Sequence, residues 1–366
     1  MNNTFGRSAT LTVFGESHGV SIGAVLDGLP SGEAIDWDAV RAEMARRAPG
    51  RNAMSTARSE ADAFEIQSGF FNGYTTGTPI CAVIRNGDHH SKDYDQLRHT
   101  MRPGHADYSG KIRYDGFNDY RGGGHFSGRL TAPIVLAGAV ASQILGRRGI
   151  FVGAHILQIG TVHDAAFNPL GEDEAVFTDL KKETLPVLDK TKQKAMESEI
   201  MHAKGDLDSV GGIIECMVTG LPAGLGDPLF DSVESALSHM MFSIPAVKGI
   251  EFGDGFALAS MRGSAANDPF YYDGTAVKTK TNHNGGINGG ITNGMPVLFR
   301  TVIKPTPSIG QKQETIDTDT KKNCTLEIKG RHDPCIVQRA VPVIEAAASW
   351  TILDIVMTRK GGLKGE

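Results

Sequence analysis

The sequence predicts an α+β fold in which antiparallel sheets pack against helices. Three observations carry this. Short β-branched runs and helical segments occur without strict strand–helix alternation. No GxGxxG follows the first strand, which argues against a doubly wound nucleotide fold. The string Val25-Leu26-Asp27-Gly28-Leu29-Pro30-Ser31-Gly32 is echoed by Met217-Val218-Thr219-Gly220-Leu221-Pro222-Ala223-Gly224. Each copy follows a strand-like run and precedes a helix. Two readings of the echo stand: recurrence of a common strand–turn–helix device, or two related halves folded as one unit. No linker rich in proline, serine or charge splits residues 1–366, so one domain is expected, with internal halves near 1–150 and 205–366.

Strands are expected over residues 9–14, 20–26, 79–85, 210–220 and 296–303, all rich in β-branched residues. Asp36 is an N-cap for a helix holding Val40 and Met44, stopped by Pro49-Gly50. Residues 131–147 form a small-residue apolar helix buried on most sides. Residues 181–204 are helical but polar, broken by Pro186 and peripheral. Asp227-Pro228 opens another helix, ending before Pro245. Residues 338–359 form a long apolar helix with a bend at Pro342.

Composition bounds the function. With 40% hydrophobic and 22% charged residues the chain is globular rather than disordered. Its 37 basic and 42 acidic residues give a net charge of -5, without a whole-chain footprint for nucleic acid. Glycine is in excess, 45 of 366 residues, which points to tight turns or close backbone approach to a ligand. The longest apolar stretch, residues 134–141, falls well short of the roughly 20 residues a bilayer needs, so no membrane span is expected. No basic-then-apolar leader opens the chain. Cys81, Cys216, Cys324 and Cys335 form no CxxC pair, so reduced thiols and a cytoplasmic location are expected.

Six constellations can carry chemistry. Gly15-Glu16-Ser17-His18-Gly19 puts an acid/base histidine in a glycine-flanked turn. It matches GxSxG, but a strand follows where a nucleophile elbow needs a helix. Arg102-Pro103-Gly104-His105-Ala106-Asp107-Tyr108 places a histidine able to protonate a leaving group beside an arginine that could hold its charge. In Arg121-Gly122-Gly123-Gly124-His125-Phe126-Ser127-Gly128-Arg129, three glycines before a helix suit an anion, and the flanking arginines favour phosphate or carboxylate. Arg41, Arg46, Arg47, Arg51 and Arg58 cluster at one helix end, either as a solvated face or as bidentate anion contacts. Asn284-Gly285-Gly286-Ile287-Asn288-Gly289-Gly290-Ile291, followed by Lys304-Pro305-Thr306-Pro307-Ser308, is either a long surface turn or a backbone platform for a flat cofactor. Gly330-Arg331-His332-Asp333-Pro334-Cys335 precedes the last helix. Metal ligation is disfavoured: HExxH and HxH are absent, and His89-His90 sits in a polar loop.

In this order, GESHG with DGLPSG, RPGHADY, YRGGG, SIPAVKGIEFG, NGGINGGITNG, KPTPS and GRHDPC resemble the motifs of the chorismate synthase family, over nearly the whole chain. The resemblance implies a β-α-β sandwich with pseudo-symmetric halves. It implies 1,4-elimination of phosphate from 5-enolpyruvylshikimate 3-phosphate, with loss of the C6 proton, to give chorismate. Reduced FMN is required without net redox change. It implies that His105 protonates the departing phosphate, that His18 sits by flavin N1, and that Asp333 helps flavin N5 accept the C6 proton. Ser17, Arg47, Arg129 and Arg331 match substrate positions, and Arg47 also a position assigned to NADPH. Ser127, Ala246, Gly289, Lys304, Pro305, Thr306, Pro307, Ser308 and Arg331 match flavin positions, and His125 and Arg51 stand where the family more often has arginines. The resemblance further implies a homotetramer and, at this length, an external flavin reductase. Two other readings remain: a flavin-independent sugar-phosphate phosphohydrolase and a non-catalytic flavin- or phosphate-binding protein.

Overall fold

The structure, a computed structural model, describes residues 3–50, 62–87, 97–328 and 333–359. The first half runs through β1 (Thr4–Phe5), β2 (Thr10–Gly15), β3 (Ser21–Asp27), α1 (Trp37–Arg47), β4 (Phe64–Ser68), the hairpin β5–β6 (Phe70–Phe71 and Tyr74–Thr75), β7 (Ile80–Arg85), α2 (Asp107–Arg113) and α3 (Thr131–Gly146). The second half continues with β8 (Phe151–Ile159), β9 (Val162–His163), α4 (Glu174–Lys182), α5 (Lys190–Gly205), β10 (Gly212–Thr219), α6 (Val233–Phe242) and β11 (Val247–Phe252). After the short α7 (Gly263–Ala266) come three hairpins and a strand: β12–β13 (Phe270–Asp273, Ala276–Thr279), β14–β15 (Ile287–Asn288, Ile291–Thr292), β16 (Val297–Ile303) and β17–β18 (Gln313–Asp317, Lys322–Leu326). The long α8 (Val337–Thr358) closes the fold.

Two five-stranded antiparallel sheets result, in the orders β1-β2-β3-β7-β4 and β9-β8-β10-β16-β11. Four strands repeat in order, β8, β10, β16 and β11 standing for β2, β3, β7 and β4, while the edge strand β9 follows β8 where β1 precedes β2. Between the sheets lies a helix layer: α3 packs on α8, α1 on both, and α6 on α8. Beneath them, α3 touches β2 and β3, and α8 touches β8 and β10. This is the sheet–helix–sheet architecture implied by the sequence, with β8 joining the second sheet already at residue 151.

The echoed turns explain the repeat. Gly28 and Gly220 have φ of +79° and +78°. A Cβ on either would lie 1.9 Å from a carbonyl oxygen, of Ser8 or of Gly149, so neither position admits a side chain. Thr75 then donates to the Pro30 carbonyl (2.6 Å) and accepts from the Glu33 amide (3.0 Å). Thr292 does the same with Pro222 (2.7 Å) and Leu225 (2.9 Å). Each half therefore clips its strand–turn–helix device with a threonine from a short hairpin.

Local signals place most elements. Asp36 caps α1 by accepting from the amides of Asp38 and Ala39. Proline divides the polar segment into α4 and α5, although helix begins at Glu174 rather than 181. The helix expected from 227 starts at Val233, because Ser232 rather than Asp227 supplies the cap, accepting from the Ser235 amide. Pro342 lies inside α8. By length and composition, residues 128–146 and 337–358 are apolar enough to cross a bilayer, which the continuous-run reading missed because glycine, serine and threonine interrupt them. In the fold, 83% of each apolar window is buried as the middle layer. Near the end of α8, the Asp354 carboxylate accepts from the backbone amides of Arg7, Ser8 and Ala9 at 2.7–3.0 Å.

Candidate active site

The turn at residues 16–20 joins β2 to β3, whose antiparallel pairing (Gly15 to Ile22) excludes the helix of a nucleophile elbow. The triple-glycine loop is fastened onto this turn: the Ser17 amide donates to the Gly124 carbonyl (3.1 Å), and His125 Nδ1 donates to the Gly15 carbonyl (2.8 Å). Gly122 and Gly123 have φ of +57° and +86°. A Cβ on Gly122 would lie 2.1 Å from His18 Cε1, and one on Gly123 would lie 3.1 Å from His105 Cε1. The two glycines thus let two histidines close in on one loop. His18 is buried and His105 half-buried.

His105 is held from behind. Its Nδ1 lies 2.6 Å from Asp107 Oδ1 and 3.1 Å from Arg102 Nη2. Arg102 grips the same carboxylate through Nε (2.7 Å), Nη2 (2.8 Å) and its own amide (3.1 Å). Burial opposes the charge of Asp107, but the hydrogen bonds from Arg102 and His105 outweigh it and hold the acid well below the usual carboxylate range.

The loop after β16 reaches the same place. Lys304 Nζ donates to the Gly104 carbonyl, and a Cβ on Gly104 would lie 3.3 Å from Pro307 Cβ. Arg102 Nη1 approaches Ser308 Oγ at 3.5 Å. The Lys304 amide donates to Ala246, a non-glycine residue at φ +76°. Pro305 packs against Gly211, and the Thr306 carbonyl accepts from Ser209 Oγ (2.7 Å), while the buried Thr306 hydroxyl has no partner among the described residues. Burial, with Lys248 nearby, lowers the Lys304 pKa.

The arginines divide. Arg41 pairs with Asp38, and Arg46 with Glu43 and Glu345, so these two brace the fold. Arg121 pairs with Asp119. Arg47 and Arg129 share the buried carboxylate of Asp62. Arg47 also donates from Nε to Thr131 Oγ1 (3.0 Å) and from Nη2 to the Gly128 carbonyl (2.9 Å). Burial pushes the Arg47 pKa down to about 10, helped by Arg339 and Arg129 and opposed by Asp62. Arg129 Nε donates to Asn86 Oδ1 (3.2 Å), and the Asn86 amide bonds the Glu16 and Gly19 carbonyls. Arg339 Nε donates to the Arg47 carbonyl (3.1 Å) and its Nη1 to Asp333 Oδ2 (2.6 Å). One polar chain therefore runs from Asp333 through Arg339, Arg47, Asp62, Arg129 and Asn86 to the His18 turn.

The structure thus gathers Ser17, His18, Arg47, His105, His125, Ser127, Arg129, the 304–308 loop with Ala246, and Asp333. Gly289 tops the exposed β14–β15 turn, where Gly290 accepts from the Val233 amide, and a Cβ on Gly289 meets nothing within 4 Å. Arg51 and Arg331 lie outside the described residues. Sequence reasoning missed Asp62, Asn86 and Arg339; only the turn signal Asn86-Gly87 pointed at any of them. The Lys304 ammonium, the Arg102 guanidinium and the Ser308 hydroxyl form a donor set suited to an anion, and on the triple-glycine side a Cβ on Gly128 would enter open space.

The family model described as chorismate synthase matches residues 9–357. The chain belongs to the chorismate synthase family. It is 45% identical to the chorismate synthase of Dehalococcoides mccartyi over 357 residues, covering 98% of this chain and 97% of that one. It is 44% identical to that of Korarchaeum cryptofilum, covering 98% of each. Among solved structures, a crystal structure of chorismate synthase superposes with a TM-score of 0.78 at 27% identity, over 98% of this chain and 94% of that one. As a chorismate synthase family member the chain is a carbon–oxygen lyase acting on phosphates, which disfavours the phosphohydrolase and the non-catalytic binding protein.

Proposed function

We propose that the chain eliminates phosphate from 5-enolpyruvylshikimate 3-phosphate to give chorismate in the pocket between the His18, His105 and Lys304 loops, with reduced FMN bound beside the substrate. The observation that carries this reading is the pair of histidines closing on Gly122 and Gly123. It offers two acid/base groups on one loop, as proton delivery at a leaving phosphate and at a neighbouring anionic ring requires. Reduced FMN, when bound, supplies electron donation to the breaking C–O bond and a basic nitrogen, with no net redox change.

The chain's own residues do the rest. Lys304, Ser308 and Ser127 hold the cofactor from the side of the 304–308 and triple-glycine loops. Arg129 binds a substrate anion, while Arg47 supports it from behind through Asp62. His105 gives its proton to the departing phosphate oxygen. His18 keeps a proton at the opposite face of the glycine pair. Asp333, oriented by Arg339, relays the C6 proton. Gly289 joins the flavin site in this reading only through a neighbouring copy or a bound-state movement.

In this reading an external flavin reductase, drawing on NADPH, supplies the reduced flavin. Exposed Leu229, Phe230, Phe256 and Tyr272 support self-association as a homotetramer. Four free cysteines suit a reducing cytoplasm. The test is an anaerobic assay following chorismate and phosphate together: equal amounts of both, only with reduced FMN, are expected. Phosphate release without flavin overturns the reading.

A further inference from the structure

The loop 102–107 contains more machinery than a single proton donor needs. Asp107 accepts three hydrogen bonds, all from Arg102, and its Oδ1 lies 2.6 Å from His105 Nδ1. It opens α2, so its backbone is fixed as well. At His105 Nδ1 two neighbours compete: the carboxylate at 2.6 Å and the guanidinium nitrogen at 3.1 Å. An ionised carboxylate oxygen 2.6 Å from Nδ1 favours a proton there, against the lone pair that a hydrogen bond from Arg102 Nη2 at 3.1 Å needs. That leaves Nε2 as the exchanging nitrogen. Nε2 lies on the Gly123 side, where a Cβ would stand 3.2 Å from it.

We propose that Asp107, clamped by Arg102, is a positioning residue that fixes the Nδ1–H tautomer of His105 and so presents Nε2 to the departing phosphate. The inference rests on the reading of His105 as the acid. In the step, the Nε2–H bond of the imidazolium breaks and an O–H bond forms on the leaving phosphate oxygen. Neutral imidazole remains, with its proton on Nδ1 against Asp107. The charged groups facing the ring are Arg102 and Asp107 from its own loop, Lys304 at the Gly104 carbonyl, and His18 across the glycine pair. An aspartate behind a histidine plays this tautomer-fixing part in other acid/base sites, where the amide variant keeps the shape but costs orders of magnitude in turnover.

Nitrogen-15 spectra of histidine-labelled protein at alkaline pH test the inference without a variant. His105 is expected as the Nδ1–H tautomer, and an Nε2–H tautomer overturns the proposal. Asp107→Asn should lower kcat by roughly 10²–10⁴-fold, leave substrate affinity within about threefold, and move the His105 signals towards Nε2–H. Turnover within twofold of wild type also overturns it. A double variant separates this proposal from the reading beneath it. In a His105→Ala background, Asp107→Asn should cost little more. A full additional loss there means that Asp107 acts elsewhere, while near-normal turnover of His105→Ala alone removes the acid assignment itself.

Discussion

The two halves share a scaffold and differ in their connections. In the first, β2 and β3 are joined by residues 16–20, a bare turn that presents His18. In the second, the equivalent strands β8 and β10 are separated by residues 160–211, which hold β9, α4 and α5. The first half also has a histidine at its loop cluster, His105, proposed above as the proton donor. The second has His155, fully buried on β8 between Asp164 (3.2 Å) and Glu215 (3.0 Å) under the ring of Phe167. A duplicated frame thus has one end left open for chemistry and one end filled in for support. Catalytic residues come from loops that the repeat leaves free to vary.

The sharpest way to break this comparison is to delete one histidine from each half. His105→Ala should lower turnover by roughly 10²–10⁴-fold with little change in melting temperature. His155→Gln should do the reverse, leaving turnover near normal while lowering stability. Equal effects on both readouts would remove the division of labour. Next in size are the paired turns. Gly28→Ala and Gly220→Ala each drive a Cβ onto a carbonyl at a positive φ, and each should cost about 2–4 kcal/mol in urea unfolding. Similar losses confirm equivalence; a loss at one site alone denies it. Thr75→Val and Thr292→Val each remove a donor–acceptor pair and should cost about 1–2 kcal/mol, again alike.

The smallest expected effect is a pH dependence belonging to the second half. Burial opposes the charge of His155, but bonds to Asp164 and Glu215 raise its pKa above the ordinary value. Burial likewise opposes Asp164 and Glu215, and His155 with backbone amides lowers both. The raised histidine contributes stability that is complete below its unfolded pKa of about 6.5 and lost as pH rises through the folded one. The lowered carboxylates contribute above their unfolded values of about 4 and lose it as pH falls. The stability gap between wild type and His155→Gln should therefore be widest between about pH 5 and 6.5 and narrow towards alkaline pH. Chemical unfolding across pH 5–9 reads it, and a constant gap counts against the histidine's charge.

The framework was legible because its signals are local. Asp36 and the two GLP turns mark where strands give way to helices, Pro49 marks where the first helix stops, and the recurrence of the GLP turn exposed the repeat. The helix start at Val233 was misplaced because Ser232 and Asp227 are equally good caps on paper, and only the Leu229–Asp231 turn decides between them. The histidines were legible because glycine neighbours announce an open backbone. Asp62, Asn86 and Arg339 were not, since each acts by meeting partners elsewhere in the chain: Arg47 and Arg129 lie 15 and 67 residues from Asp62, Arg129 lies 43 from Asn86, and Arg47 lies 292 from Arg339. His125 shows the limit from the other side: the resemblance points to the flavin, yet its Nδ1 fastens the glycine loop to Gly15. Arg47, read as a ligand contact, has all three nitrogens engaged by protein.

The clasp at Asp354 sets an order of events during synthesis. The amides it holds belong to residues 7–9, so one bond spans a separation of 345 residues. At roughly 5–20 residues per second, some 20–70 s pass between the emergence of the two partners. Until then α3, β8 and β10, once made, lack α8, the helix that packs on them. The nascent chain must therefore carry an uncovered apolar layer until α8 is made. Fragments ending before α8 should be captured by chaperones or aggregate, and the emergence of α8, rather than completion of the first half, is the moment at which this fold can become native.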